Sequence, residues 1–318
     1  MTAIGAAAHV AAVSVPATSA NLGPGFDCLG LALEIRDHYR AEVEFGPAAV
    51  GGPDVVVTVL GQGADGSVGA GADNLVARSL LRGLAAWAAP EVARLRLTCH
   101  NRVPHGRGLG SSSAAIVGGL TLAAHLAPID VADAEVLALA SEIEGHPDNV
   151  APAVLGGFTV SWTEAGVGQA LRLTPHPEIA AVIAVPEASL STAEARDLLP
   201  EEVPLAEAVH NLSRSALLTQ ALTSCPEHLL AATEDLLHQP RRASAYVASH
   251  ALMSILRMDR HAAVISGAGP TVLLLTTADA DAVAVEVAEY TGPQWSVQVV
   301  PFALEGARVE DAAAGLTR

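Results

Sequence analysis

Pro104-His105-Gly106-Arg107-Gly108-Leu109-Gly110-Ser111-Ser112-Ser113 is the stretch on which the fold turns. Before it, Leu95, Leu97 and Cys99 alternate with polar residues at the period of a strand. After it, Ser112 to His125 reads as an uninterrupted helix too apolar to be exposed. A glycine loop between a strand and a buried helix aims backbone N–H groups where the helix dipole is positive, which is an anion site. The glycines let the backbone approach phosphate oxygens, and the serine hydroxyls can hydrogen-bond phosphate or ligate a metal ion. The spacing is not the Gly-x-Gly-x-x-Gly of a dinucleotide turn. Taken alone, the loop reads as readily as a simple turn.

Composition narrows what that loop can serve. Of the 318 residues 51% are hydrophobic, 16% charged and 3% aromatic, so the chain is globular, with a core of Ala, Val and Leu. Its length suits two domains sharing one cleft. A net charge of −17 argues against nucleic acid and anionic membrane as partners, since both need clustered positive charge. All 17 basic residues are arginine. Without lysine the chain cannot be a Walker A protein, a protein kinase or a Schiff-base pyridoxal enzyme. Cys28, Cys99 and Cys225 lie far apart and read as small buried hydrophobes of a reducing compartment, so a cytoplasmic location is expected. The run Ile4 to Ala17 has no basic residues before it and is broken by His9 and ended by Pro16, unlike a signal peptide. No stretch is long and apolar enough to span a membrane, and the histidines lack zinc-site spacing, so no structural metal is expected.

Val10 to Val15 and Tyr39 to Phe45 read as strands, separated by a turn-rich stretch from Pro16 to Gly25. Gly61 to Gly71 reads as an exposed loop, and Asp73 as the cap of a helix running to Trp87. Val131 to Ile143 and Pro147 to Val154 look helical, and Phe158, Val160 and Trp162 alternate as a strand. A boundary between Ala165 and Gly168 divides the chain into domains 1–165 and 166–318. The second half mixes strands at Ile179–Val185, Ala263–Ile265, Thr271–Leu275 and Ser296–Val300 with helices over Ala193–Leu222, Pro226–Leu237 and Ala278–Glu289. With no strict strand–helix–strand repeat, the class is α+β.

Two further loops change the weight of the first. Pro16-Ala17-Thr18-Ser19-Ala20-Asn21-Leu22-Gly23-Pro24-Gly25-Phe26-Asp27 follows the first strand, and Ser266-Gly267-Ala268-Gly269-Pro270-Thr271 lies between two late strands. In this order the three segments resemble the three motifs of the GHMP small-molecule kinases. Asn21 to Asp27, Glu144 to Pro152, Leu190 to Arg196 and His238 to Arg242 are most similar to the branch of that family that phosphorylates L-homoserine, and the likeness spans nearly the whole chain. It implies an N-terminal domain of the ribosomal-protein-S5 type, a ferredoxin-like C-terminal domain, and ATP with Mg²⁺ between them. It also implies a product, O-phospho-L-homoserine, on the way to threonine. Mevalonate-type relatives place a lysine near the first motif, and here that role has no candidate.

The resemblance assigns Asn21, Asp27 and Asp148 to the amino and hydroxyl groups of the substrate, and Arg196 and Arg242 to its carboxylate, where a guanidinium can pair bidentately; Asn149 reads either as orienting the hydroxyl or as capping the helix from Val150 onward. For an unplaced arginine a solvated surface charge is the usual reading, and Arg214 and Arg241 compete with Arg242. Asp148, Asn149 and Arg196 are the candidate catalytic residues, with Asp148 favoured as a substrate ligand over a general base because phosphoryl transfer has a loose transition state. His146 reads as structural. ATP contacts are expected from Asn74 and from Pro104, His105, Gly106, Arg107, Gly108, Leu109, Gly110, Ser111, Ser112, Ser113 and Ala114; Asn74 reads equally well as a helix cap. Ser112 and Glu142 are the expected metal ligands, with Ser111, Ser113 and Glu144 as competitors. A GHMP kinase of another amino or sugar alcohol, and a non-catalytic ligand sensor of the same fold, are the alternatives. Intact glycine loops argue against the sensor. Whether two copies pair as a homodimer is left open.

Overall fold

The computed structural model describes residues 8–311, so the first residues of the Ile4–Ala17 run lie outside the description. Eleven strands and nine helices are described. The N-terminal half holds β1 (His9–Ala20), β2 (Leu29–Phe45), β3 (Asp54–Gly61), α1 (Leu75–Ala86), β4 (Val92–Asn101), α2 (Ser111–Leu126), α3 (Asp133–Glu144), α4 (Pro147–Leu155), β5 (Phe158–Glu164) and β6 (Val167–Leu173). The remainder holds β7 (Ala180–Pro186), α5 (Thr192–Arg196), α6 (Leu205–Thr223), α7 (Leu229–Ala232), α8 (Val247–Met258), β8 (Ala262–Ile265), β9 (Val272–Thr276), α9 (Ala280–Tyr290), β10 (Trp295–Val300) and β11 (Arg308–Glu310).

The strands form two sheets. The larger runs β11-β1-β2-β4-β3, with β5 added to β2 and β6 to β5. The smaller runs β10-β7-β9-β8. Counted within the second half, that order is 4-1-3-2 with every neighbour antiparallel, the ferredoxin-like arrangement the resemblance implies. The expected boundary at 165/166 falls in the tight turn of the β5–β6 hairpin, both strands of which belong to the larger sheet. The chain changes sheets between β6 and β7 and returns through β11, which pairs with β1.

Alternation explains how the smaller sheet is buried on both faces. Ala181, Ile183, Leu273 and Leu275 pack against α6 and the first domain, while Val182, Ala184, Val272 and Leu274 pack against α8 and α9. A bulge organises the larger sheet. Pro16 pairs with Arg36 but Ala17 with Leu33, leaving Glu34 and Ile35 unmatched. Before it, Val13, Val15, Tyr39 and Ala41 join the core beneath α1 to α4; beyond it, Ala17, Leu29, Leu31 and Leu33 join the core shared with the second domain. The turn-rich reading of Pro16 to Gly25 is therefore corrected as far as Ala20, which is still strand.

The helix expected over Pro226–Leu237 is reduced to a 3₁₀ turn and α7. Asp235 takes over there: its carboxylate accepts hydrogen bonds from the backbone N–H groups of Leu237, His238 and Gln239 and from the Asn211 amide. Among the described residues no helix is long and apolar enough to cross a membrane.

Candidate active site

The three motif loops meet at the N-terminus of α2. Gly106, Gly108 and Gly110 all have positive φ, and a Cβ at Gly110 would stand 1.9 Å from the Thr18 hydroxyl, while one at Gly108 would stand 2.2 Å from the Ser266 carbonyl. Only glycine permits this contact of first, second and third loops. Hydrogen bonds fix it: Thr18 N–H donates to Leu109 O (3.1 Å), Ser266 Oγ to Gly108 O (2.6 Å), and the Asn21 amide to Gly267 O (2.9 Å). No side chain caps α2, and its ladder begins with Ala114 N–H, so the N–H groups of Ser111, Ser112 and Ser113 stand outside the helix's own hydrogen bonds. The residues present therefore fit a polyphosphate.

A cleft opens beside these groups, lined by Asn21, Asp27, Asp148, Asn149, Arg196 and Arg242 among others. Thus all six residues expected to hold substrate are brought together. Asn21 and Asp27 sit in left-handed backbone conformations (φ 68° and 54°), and the Asn21 side-chain oxygen accepts from Asp27 N–H at 3.0 Å, fixing the turn that presents the carboxylate. Arg196, on the last residue of α5, pairs bidentately with Asp27 at 2.9 and 3.0 Å. Asp148 is only 2% exposed near the start of α4, where its Oδ1 meets His146 Nδ1 at 2.6 Å and accepts from Asn149 N–H at 3.0 Å. The Asp148 hydrogen bond pushes the His146 imidazole above its ordinary value, against the opposing effect of burial. Asn149 Oδ1 accepts from the Thr18 hydroxyl.

The competitors of Arg242 are occupied elsewhere. Arg241 pairs with Glu207, and Arg214 with Glu234 at 2.8 Å. Arg242 itself is buried (2% exposed), donating through Nε to Ala195 O at 2.9 Å.

The expected metal ligand Glu142 is corrected. It is exposed and pairs with Arg82 at 2.8 Å, away from the loops. Glu144 instead accepts from both Ser112 Oγ (2.7 Å) and Ser113 Oγ (2.9 Å). Residues two positions apart on a helix, as Glu142 and Glu144 are, lie about 200° apart around its axis, so only one of the pair can face α2. Leu137, Ser141 and Glu144 share a stripe, and the burial of the first two gives the signal that selects Glu144. Among the described residues no cluster of three or more His, Cys, Asp or Glu could hold a metal ion, so an ion here would depend on phosphate oxygens for its remaining ligands.

Within the glycine loop the side chains have other duties. Leu109 and Ala114 are fully buried in the cores, and Arg107 donates to Pro186 O, Glu187 O and His105 O, tying the loop to the second domain. Burial pushes the His105 imidazole below its ordinary value. A second pocket adjoins the first at Ser111 and Ser112 and is walled by Tyr39, Val68, Leu75, Val76, Asn74 and His105 among others. Asn74, rather than Asp73, caps α1: its side-chain oxygen accepts from Val76 N–H and Ala77 N–H, and its amide donates to Gly69 O. Sequence reading missed Phe26 and the buried Asn211–Asp235–His238 network behind it.

Comparison with known proteins agrees with this geometry. The profile of the GHMP kinases N terminal domain matches residues 74–157, which span the glycine loop, α2 and α4. The fold is that of a GHMP kinase. The homoserine kinase of Clavibacter michiganensis is 44% identical over 302 residues, covering 94% of this chain and 93% of that protein. That of Mycobacterium tuberculosis is 48% identical over 276 residues, covering 84% of each. A crystal structure of homoserine kinase from Cytophaga hutchinsonii superposes with a TM-score of 0.78 at 25% identity, covering 95% of this chain and 97% of that one. The chain belongs to the homoserine kinase family.

Proposed function

We propose that this enzyme transfers the γ-phosphoryl group of ATP to the hydroxyl of L-homoserine, giving O-phospho-L-homoserine in the cytoplasm, on the way to threonine. The observation that carries the reading is one cleft holding two arginines and two aspartates beside an uncapped helix N-terminus. A zwitterion with a primary hydroxyl is the ligand such a set recognises: guanidinium groups for its carboxylate, carboxylates for its ammonium.

Arg196 and Arg242 take the substrate carboxylate, Asp27 and Asp148 take the ammonium, and Asn21 and Asn149 orient the hydroxyl. The N–H groups at the start of α2 and the loop from Pro104 to Ala114 hold the phosphates, while the more apolar second cavity, with Asn74 at its wall, receives the base. Ser112 and Glu144, rather than Glu142, would hold Mg²⁺ against the phosphates. Bound MgATP supplies the phosphoryl group and neutralises its charge. The contribution of the chain is positioning and electrostatic stabilisation, which carry most of the rate in a reaction with a loose transition state. Asp148 acts as a ligand: its Oδ1 is already engaged by His146 and Asn149 N–H. A coupled ADP-release assay with homoserine, serine, threonine, mevalonate and galactose tests the proposal. Mg²⁺-dependent turnover should be fastest with homoserine; faster turnover of mevalonate or galactose overturns it.

A further inference from the structure

Arg242 is an unusual cation. It is 2% exposed, and among the described residues no carboxylate pairs with it. Its named polar contacts are Ala195 O, through Nε, and His238 Nδ1, 3.5 Å from Nη1. His238 can accept there because its Nε2 lies 2.7 Å from Gly23 O, and a carbonyl only accepts, so the proton resides on Nε2. Burial holds the His238 imidazole below its ordinary value, against the opposing charge of Asp235. A buried guanidinium without an anion is costly unless something else offers it negative potential.

Phe26 does so. The Arg242 guanidinium carbon lies over its ring, 5.1 Å from the centroid, and that of Arg196 lies over the same ring at 5.5 Å. The His238 ring packs beside it with centroids 5.2 Å apart. Phe26 also precedes Asp27, whose carboxylate grips Arg196. The ring is half-buried and lines the cleft, so it belongs to the wall of the site.

We infer that Phe26 is a positioning residue whose π face holds Arg196 and Arg242 side by side, aimed at one carboxylate. The inference rests on the reading that both arginines receive the carboxylate of homoserine. An aromatic face attracts each cation and lets two like charges converge where an aliphatic side chain would leave them to repel. Arg196 comes from α5 and Arg242 from the loop before α8, so the ring joins two segments that lack a direct ion pair. The role differs from packing in a measurable way: it depends on the electron density of the ring and not only on its volume.

The test is steady-state kinetics and thermal unfolding of the full chain with Phe26→Leu, Phe26→Tyr, and Phe26 replaced by mono-, di- and trifluorinated phenylalanine. Phe26→Leu should raise the homoserine KM on the order of 10-fold, with a smaller change in kcat and none in the ATP KM; Phe26→Tyr should restore it. Across the fluorinated series, log KM for homoserine should climb steadily as fluorine withdraws charge from the ring, while the unfolding midpoint follows no such trend. A flat KM across that series overturns the inference even if Phe26→Leu does not fold. Failure of the underlying reading is distinct, because the unsubstituted enzyme would then show no homoserine-dependent ADP release.

Discussion

Asp27→Asn is a substitution whose sign should depend on the ligand. In the free enzyme Asp27 holds Arg196 through two hydrogen bonds of 2.9 and 3.0 Å, so a substrate carboxylate must draw Arg196 away. The side chains are 33% and 43% exposed, and a pair so solvated contributes only about 0.2 to 1 kcal/mol. Breaking it therefore costs the ligand roughly 1.5 to 5-fold in affinity. Against that, Asp27 offers the ammonium a charge-assisted contact of about 1.5 to 3 kcal/mol. Removing the carboxylate should weaken homoserine by the difference, about 0.5 to 2.8 kcal/mol or roughly 2 to 100-fold. For 4-hydroxybutyrate, which has no ammonium, only the release of Arg196 remains, and affinity should rise by about 1.5 to 5-fold. Isothermal titration calorimetry of both ligands on both proteins measures this. A loss of affinity for both ligands would refute the view that Asp27 serves the ammonium while competing for Arg196.

Further outcomes follow from the same geometry. Glu144→Gln should lower kcat by about 10 to 100-fold and raise the Mg²⁺ requirement, whereas Glu142→Gln, which removes only an exposed pair with Arg82, should stay within about twofold; equal losses in steady-state kinetics would contradict the correction from Glu142 to Glu144. Asp148→Asn should raise the homoserine KM strongly while single-turnover chemistry at saturation persists; slowing of that step by about 10² to 10⁴-fold would make Asp148 the base. The hydrogen bond to Asp148 raises the His146 value above 6.5, so the stability this pair contributes is complete below 6.5 and is lost as pH climbs through the raised value. Over the same window the loss of positive charge beside Asp148 should lower the homoserine KM, and His146→Asn should abolish that slope.

Those parts of the fold set by strong periodicity were legible from the residues: β4, α2, α3 and α4, whose apolar positions repeat without interruption. Legibility failed where tertiary contacts decide. β3 escaped notice because its partner β4 is parallel and lies some forty residues away, and β11 because three residues pair with β1 only after the chain has crossed the second domain. β6 was hidden by reading its hairpin turn as a domain boundary. Pro226–Leu237 has helical composition, but the Asp235 carboxylate collects three backbone N–H groups and builds the loop that delivers Arg242.

The site divides in the same manner. Residues in the three loops were visible because the three segments, in their order, resemble the motifs of the GHMP kinases, whereas the glycine loop alone reads as readily as a turn. Phe26 was not, since an aromatic residue beside a glycine turn signals nothing until two guanidinium groups from distant segments arrive over its face. The choice between Glu142 and Glu144 lay within reach, because the buried stripe of α3 already selects the face.

The measurement closest to the central claim is identification of the product made from ATP, Mg²⁺ and L-homoserine, by phosphorus NMR with mass spectrometry. The account predicts one new phosphomonoester, its resonance coupled to the two protons of the side-chain methylene, with ADP formed in equal amount. Formation of ADP and free phosphate without that ester, or an ester only when mevalonate or a sugar replaces homoserine, would contradict it.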